Sequence, residues 1–157
     1  KHHTSFKKVL HQLETAISSG KVPKNSNTEA LIFLYCDTNK LNLHFLEGSF
    51  REGLHLVPEI EERIVCYNKQ LDEHHIMIFY YKIACLYFGA ANNVKCIEYL
   101  NKIIENKDLE MREDLLCFAR VLNLVAHYEE GLDFNLERQL KNTYKYLLKM
   151  NDLQCSH

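Results

Sequence analysis

The chain has 157 residues, a formal net charge of −2 and 46% hydrophobic residues, which is enough for one domain with a sizeable core. A net charge this small gives no general attraction to nucleic acid or to an anionic membrane. The sequence contains no run of about eighteen apolar residues, so it predicts no membrane span. Five glycines and two prolines leave little room for β-turns. Because the chain begins Lys1-His2-His3, without an initiator Met or an apolar signal core, we interpret it as a piece of a longer cytoplasmic protein.

The first element is a predicted leading helix at residues 4–19. Its apolar residues recur at the three-and-four spacing of a helix that buries one face. They are Phe6, Val9, Leu10, Leu13 and Ile17. Gly20 ends this helix, and the polar, proline-containing stretch 21–27 is the one candidate linker.

A first helix pair is predicted at residues 28–71. Ser26 and Ser49 are each followed three residues later by glutamate, so each is expected to form a capping box at a helix start. Pro58 removes one backbone donor from the second helix, which should kink that helix or restart it near Val57. Since the apolar spacing continues across the proline, we expect one kinked element that runs to about Leu71.

The central pair, residues 73–106, gives the clearest helical pattern. We place its helices near 73–90 and 93–106, with Asp72 as the cap of the first. The small residues Ala84 and Cys96 would let the two helix backbones approach closely. This stretch therefore predicts a packed antiparallel hairpin.

A last pair is predicted at residues 109–150. Asn106-Lys107-Asp108 is a short turn before it, Gly131 breaks it, and Asp133 is the expected cap of the final helix. The sequence thus predicts an all-α fold of about seven helices, with no credible strand, in a single domain over residues 1–157.

The helix breaks recur at a fixed interval. Gly48, Ala91 and Gly131 lie 43 and 40 residues apart, so the period is near 40. The positions seven residues before and five and nine after each break can then be aligned. These sets are Leu41, Ala84 and Leu124; Gly53, Cys96 and Leu136; and Val57, Leu100 and Leu140.

The central pair resembles a tetratricopeptide repeat. The matching residues are Tyr80, Ile83, Ala84, Tyr87, Ala91, Cys96 and Leu100. Ile103 departs from the last small position, and Asp108 replaces the closing proline. The other two pairs match more loosely, and some stretches also resemble helical-repeat proteins of Bacteroidetes type. The resemblance implies a right-handed α–α superhelix of about three hairpins plus the leading helix.

No enzyme motif accompanies these helices. No two histidines have the three- or four-residue spacing that places metal ligands on one helical face, and no glycine-rich phosphate loop or nucleophile elbow occurs. The six cysteines lack a C-x-x-C spacing, which favours reduced, buried thiols. His44 and His127 lie on largely apolar faces and are expected to be hydrogen-bonded. We expect no catalytic residue, metal or cofactor.

The first helix of each pair would line a concave surface if the pairs stack. The candidate partner-binding residues on that surface are Tyr35, Asn39, Asn42, Phe45, Ile78, Tyr81, Cys85, Phe88, Phe118, Val121, Leu122, Val125 and Tyr128. Packing within the core remains the alternative for Ile78, Val121 and Leu122.

This set is apolar and aromatic, and it lacks the cations with which some tetratricopeptide modules bind an acidic tail. The leading hypothesis is a non-enzymatic scaffold that binds a protein or peptide, helical or apolar, with self-association left open. The expected partners include neither nucleic acid nor membrane. The alternatives are a peptide-sensing regulatory domain and, more distantly, a metalloenzyme of helical-bundle type.

Overall fold

A computed structural model of the protein describes residues 2–20, 25–106, 113–131 and 133–155. These residues form α1 (His2–Ser18), α2 (Ser26–Glu47), α3 (Phe50–Gly53), a 3₁₀ turn (Leu54–Leu56), α4 (Val57–Cys66), α5 (Glu73–Gly89), α6 (Asn93–Ile104), α7 (Glu113–Glu130) and α8 (Asp133–Cys155). The described part of the chain contains helices and no strand, so the predicted all-α class is confirmed. None of its helices combines the length and the apolar character that crossing a bilayer requires.

The chain forms two compact units, Lys1–Ile76 and Met77–His157. Each unit is described by itself, and α5 begins within the last residues of the first. The prediction of a single domain stays a prediction.

In the first unit, α1 and α2 are joined by ion pairs at both ends of their contact. Lys7 Nζ lies 2.6 Å from Glu47 Oε1, and Lys40 Nζ lies 3.2 Å from Glu14 Oε1. The predicted apolar stripe of the leading helix is wrong at Val9 and Leu13, which are both exposed. Leu10 is buried, so the contact with α2 covers only part of the stripe.

The caps of the first pair differ from the prediction. Asn25, not Ser26, caps α2, because its Oδ1 accepts a 2.8 Å hydrogen bond from the backbone N of Thr28. Ser49 precedes α3 but makes no side-chain cap bond. Its hydroxyl is engaged by His44 Nδ1 at 2.7 Å instead, which confirms that His44 is hydrogen-bonded.

The predicted long, kinked helix up to Leu71 is wrong. The helix stops after Gly53, passes through the 3₁₀ turn, and restarts at Val57 with Pro58 in its first turn. A proline in the first turn removes no intrahelical bond, since that backbone N–H would have no partner within the helix. Helix α4 ends at Cys66. The backbone N–H groups of Gln70 and Leu71 then both donate to the carbonyl oxygen of Tyr67, which forms a turn.

In the second unit, α5 and α6 form the hairpin that the sequence predicts. Ala91 takes a left-handed conformation with φ of 60°, and Asn92 Oδ1 caps α6 through the backbone N of Lys95 at 3.1 Å. Three tyrosines hold the pair together. The ring centroids of Tyr80 and Tyr99 are 5.9 Å apart, and those of Tyr87 and Tyr99 are 5.7 Å apart.

Helices α7 and α8 form the following hairpin. The predicted end near Met150 is wrong, because α8 continues to Cys155. The predicted turn at 106–108 and the helix start at Leu109 fall mainly on residues 107–112, which lie outside the described residues. The predicted capping role of the Asp133 side chain also lies outside them.

The three predicted breaks share one conformation. Gly48, Ala91 and Gly131 have φ values of 67°, 60° and 72°. A left-handed residue just past a helix is a common way to end it, and only glycine adopts it without strain. The breaks are therefore confirmed as helix ends, whereas a superhelix of tetratricopeptide type remains a prediction.

Candidate functional site

The predicted site residues of the first unit lie along α2. Tyr35 is exposed, whereas Asn39, Asn42 and Phe45 are half-buried. Tyr35 and Asn39 border an almost wholly apolar depression of about 300 Å³ between α1 and α2. Phe45 instead packs against Phe50 of α3, with ring centroids 6.1 Å apart. The four residues therefore do not form one surface.

The predicted residues on α5 are more enclosed. Ile78, Tyr81, Cys85 and Phe88 are all half-buried. The Tyr81 ring lies 6.5 Å from the Phe118 ring of α7, so α5 and α7 are in contact through two predicted residues. Burial, together with the neighbouring cysteine, raises the pKa of Tyr81.

The predicted residues on α7 are the exposed part of the site. Phe118, Val121, Val125 and Tyr128 follow one another at helical spacing and all reach solvent, whereas Leu122 is half-buried. The core alternative for Val121 is therefore wrong. It was a reasonable alternative because a valine stripe usually faces the interior.

A second exposed apolar stripe, on α8, continues this surface. Its members, which sequence reasoning missed, are Leu140, Tyr144, Leu147 and Leu148. An apolar pocket of about 300 Å³ joins the two helices, because its lining comes from both. That lining is Leu124, Val125, Tyr128, Leu136 and Leu140. We call the exposed α7 residues 118, 121, 125 and 128, with the α8 stripe, the α7–α8 apolar face.

Helices α7 and α8 meet through polar side chains. Asn123 and His127 of α7 and Thr143 of α8 are buried. Asn123 Nδ2 donates to Gln139 Oε1 at 3.5 Å, at the long end of hydrogen-bond geometry. The Arg120 guanidinium carbon lies 4.7 Å from the centroid of a tyrosine ring on α8. We call this contact the polar seam.

Several polar atoms of the polar seam are poorly satisfied. Arg120 Nε, Asn123 Oδ1 and His127 Nδ1 are buried without a hydrogen-bond partner among the described residues. A buried polar atom without a partner costs about 1–3 kcal/mol, so we expect the seam to contribute little to stability. Burial, aided by the positive charge of Arg138, lowers the pKa of His127. His127 is therefore buried as expected, but the hydrogen bond predicted for it is not found at Nδ1.

The sequence does contain a signal for this inverted arrangement. Helix α8 carries two rows of residues at a spacing of four, one apolar at 140, 144 and 148 and one of lysines at 141, 145 and 149. The residues that face α7, such as Gln139 and Thr143, belong to neither row. The two rows are adjacent on the helix, so spacing along α8 alone leaves open which of them faces solvent. All three lysines are indeed exposed.

The first unit contains a buried ion pair that sequence reasoning also missed. Asp37 is almost fully buried, and its Oδ2 accepts a 2.6 Å hydrogen bond from Arg63 Nη1. Burial raises the pKa of Asp37, and Arg63 and Lys40 oppose that shift. The signal was the position of Asp37 four residues from both Phe33 and Leu41 on the buried side of α2. All the charges are paired, which indicates a structural role.

The remaining reactive groups of the described chain are dispersed. Within the described ranges, no three His, Cys, Asp or Glu side chains are grouped so that they could hold a metal ion. Cys36, Cys66, Cys85, Cys96 and Cys117 are free thiols. The prediction of buried thiols is wrong for Cys66, which is exposed at the end of α4, where nothing in its unit covers it.

Comparison with known proteins gives no relative. No protein-family model matches the sequence, no curated protein resembles it significantly, and no solved structure matches the fold. The class of protein must therefore be argued from the helices and their surfaces.

Proposed function

We propose that this protein is a non-enzymatic protein–protein interaction module that binds an apolar helix or peptide through the α7–α8 apolar face. The observation that carries the proposal is a hairpin in which eight large apolar side chains are exposed while Asn123, His127 and Thr143 are buried. A fold stabilised by burial normally does the reverse. The exposed apolar surface is therefore best explained by what it binds.

The size and shape of the face suit a helix. Its α7 residues recur every three or four positions from Phe118 to Tyr128, and its α8 residues do so from Leu140 to Leu148. Two parallel apolar rows with a pocket between them form a groove, and an amphipathic helix can place its own apolar residues there. Contiguous exposed apolar patches of this kind commonly mark protein-binding sites.

The predicted residues on α5 pack against the α7–α8 apolar face. Tyr81 is half-buried against Phe118, so it holds one edge of the face in position rather than projecting from it. The residues predicted on α2 belong to the other unit, and the proposal does not depend on them.

Peptide titration tests the proposal. A fluorescent peptide with leucines at helical spacing is titrated with nanomolar protein, beside a scrambled peptide of identical composition and an acidic C-terminal peptide. We expect saturable binding of the helical peptide alone. Val125→Glu should weaken binding by at least roughly tenfold, because it places a charge at the centre of the apolar face.

A matched variant controls for nonspecific effects. Val94→Glu makes the same change on α6, outside the face; Val94 is 52% exposed and Val125 is 39% exposed. This variant should bind like the unmodified protein. Equal binding of the helical and scrambled peptides, or equal losses in both variants, would refute the proposed function.

A further inference from the structure

We infer that the occupant of the α7–α8 apolar face is the same face of a second copy of this chain, so that two hairpins form a four-helix interface. The inference rests on the proposed function, because it names the partner that the face takes. It follows from the area of the face and from the charges along its two edges.

The area of the face is close to what one partner buries in a standard interface. The exposed fractions of the large apolar side chains of the face correspond to roughly 700 Å² of surface in each copy. A specific interface of standard size buries about 800 Å² on each partner. A single peptide helix would cover the groove between α7 and α8 but would leave the outer residues Phe118 and Leu148 in water. A second hairpin covers the whole width.

The edge of the face on α8 is basic. Lys141, Lys145 and Lys149 each follow an apolar residue of the face by one position, and all three are exposed. Gln139 and Thr143, on the other side of the apolar row, face α7. The lysines therefore border the face on the side away from α7. The Glu137 carboxylate lies 2.6 Å from Lys141 Nζ and neutralises one of them.

The edge on α7 is acidic. Glu129 stands eleven residues after Phe118, which on a helix of 3.6 residues per turn places it just beyond Phe118, on the side of the face away from α8. Glu129 is exposed. One edge of the face thus carries negative charge and the other carries positive charge.

Opposite edges make the face complementary to itself. In a two-fold dimer whose axis runs parallel to the helices, α7 of one copy lies over α8 of the other. The acidic edge of each copy then faces the basic edge of its partner, and both contacts occur twice. Such an arrangement favours a second copy over an unrelated helix, and it fixes which helices pair.

Sedimentation equilibrium across a range of concentrations tests the inference. The 18.5 kDa chain should reach twice that mass at micromolar concentration and return to one mass on dilution. Val125→Glu and Val121→Glu should each raise the dissociation constant by at least roughly tenfold, and Val94→Glu should leave it unchanged. Reversal of Lys141 and Lys145 to glutamate should weaken the dimer by a smaller factor, because exposed charges contribute less than apolar burial.

The result also separates this inference from the proposed function. A chain that stays monomeric while it binds the helical peptide overturns the dimer and leaves the interaction module intact. A monomer that binds no peptide overturns both. Dissociation by Tyr35→Glu, on α2, would also overturn the dimer proposed here, because the contact would then join two different surfaces. Circular dichroism of each variant first establishes that the variant is folded, and its mass is then measured by sedimentation equilibrium.

Discussion

The α5–α6 and α7–α8 hairpins belong to the same unit but distribute their apolar residues in opposite ways. Leu100, nine residues after the first break of this unit, is 0% exposed, whereas Leu140, nine after the next break, is 53% exposed. The first hairpin buries large aliphatic and aromatic side chains, whereas the second buries Asn123, His127 and Thr143 beside Leu115, Ala119 and Ala126. The difference teaches that a repeated helical pattern can serve the core in one copy and an exposed surface in the next.

The most direct test of this difference truncates the leucine at the equivalent position of each hairpin. Leu100→Ala should lower the free energy of unfolding by about 3 kcal/mol, because it leaves a cavity in a packed core. Leu140→Ala, measured at a concentration where the chain is monomeric, should cost less than about 1 kcal/mol. Urea denaturation monitored by circular dichroism measures both values. Equal losses would show that the two hairpins bury their leucines alike.

The small residue of the first hairpin provides the next test. Ala84 is fully buried, so Ala84→Leu should overpack the hairpin and cost about 2 kcal/mol. At the equivalent position of the second hairpin the half-buried Leu124 should tolerate Leu124→Ala at about 1 kcal/mol. Thermal melts of both variants give the comparison. Unchanged stability of Ala84→Leu would contradict the close packing of α5.

The polar seam should respond in the opposite direction. Asn123 is 3% exposed and its Oδ1 finds no partner among the described residues. Asn123→Leu has a similar volume and removes the cost of burying that oxygen, so we expect a gain of about 1 kcal/mol. The double variant with Gln139→Leu, which removes the other half of the long hydrogen bond, should be at least as stable as the single one. A loss of stability in both would mean that the seam contributes to the fold.

The smallest expected effect concerns pH. Because the folded protein lowers the pKa of His127 below 6.5, both folded and unfolded chains carry it neutral above that value, and its full contribution is present there. As the pH falls below 6.5, the unfolded chain takes up the proton first, and stability is lost until the folded pKa is reached. His127→Gln should reduce this loss, measured as unfolding free energies at pH 7 and pH 5. Parallel curves for the two proteins would contradict the lowered pKa.

Some of the site could be predicted from the sequence, and the reason lies in local rules. Phe118, Val125 and Tyr128 were predicted as surface residues because the first helix of each stacked pair would line a concave surface. The caps could not be predicted as well, because Asn25 competes with Ser26 and only the backbone geometry selects between them. Ser49 was assigned a cap role, but the approach of His44 redirects its hydroxyl.

The sequence by itself determined the helices and where three of them end. Helical periodicity, the cap at Asp72 and the helix ends at 48, 91 and 131 depend only on neighbours within one or two turns. The local sequence is therefore enough to predict them. Only the tertiary structure decided which side of α8 packs on α7. Two rows of α8 were available for burial, and the choice depends on Arg120, Asn123 and His127, which lie on another helix. Contacts between side chains of α7 and α8 select the buried side of α8. The spacing of residues along α8 alone does not predict that side.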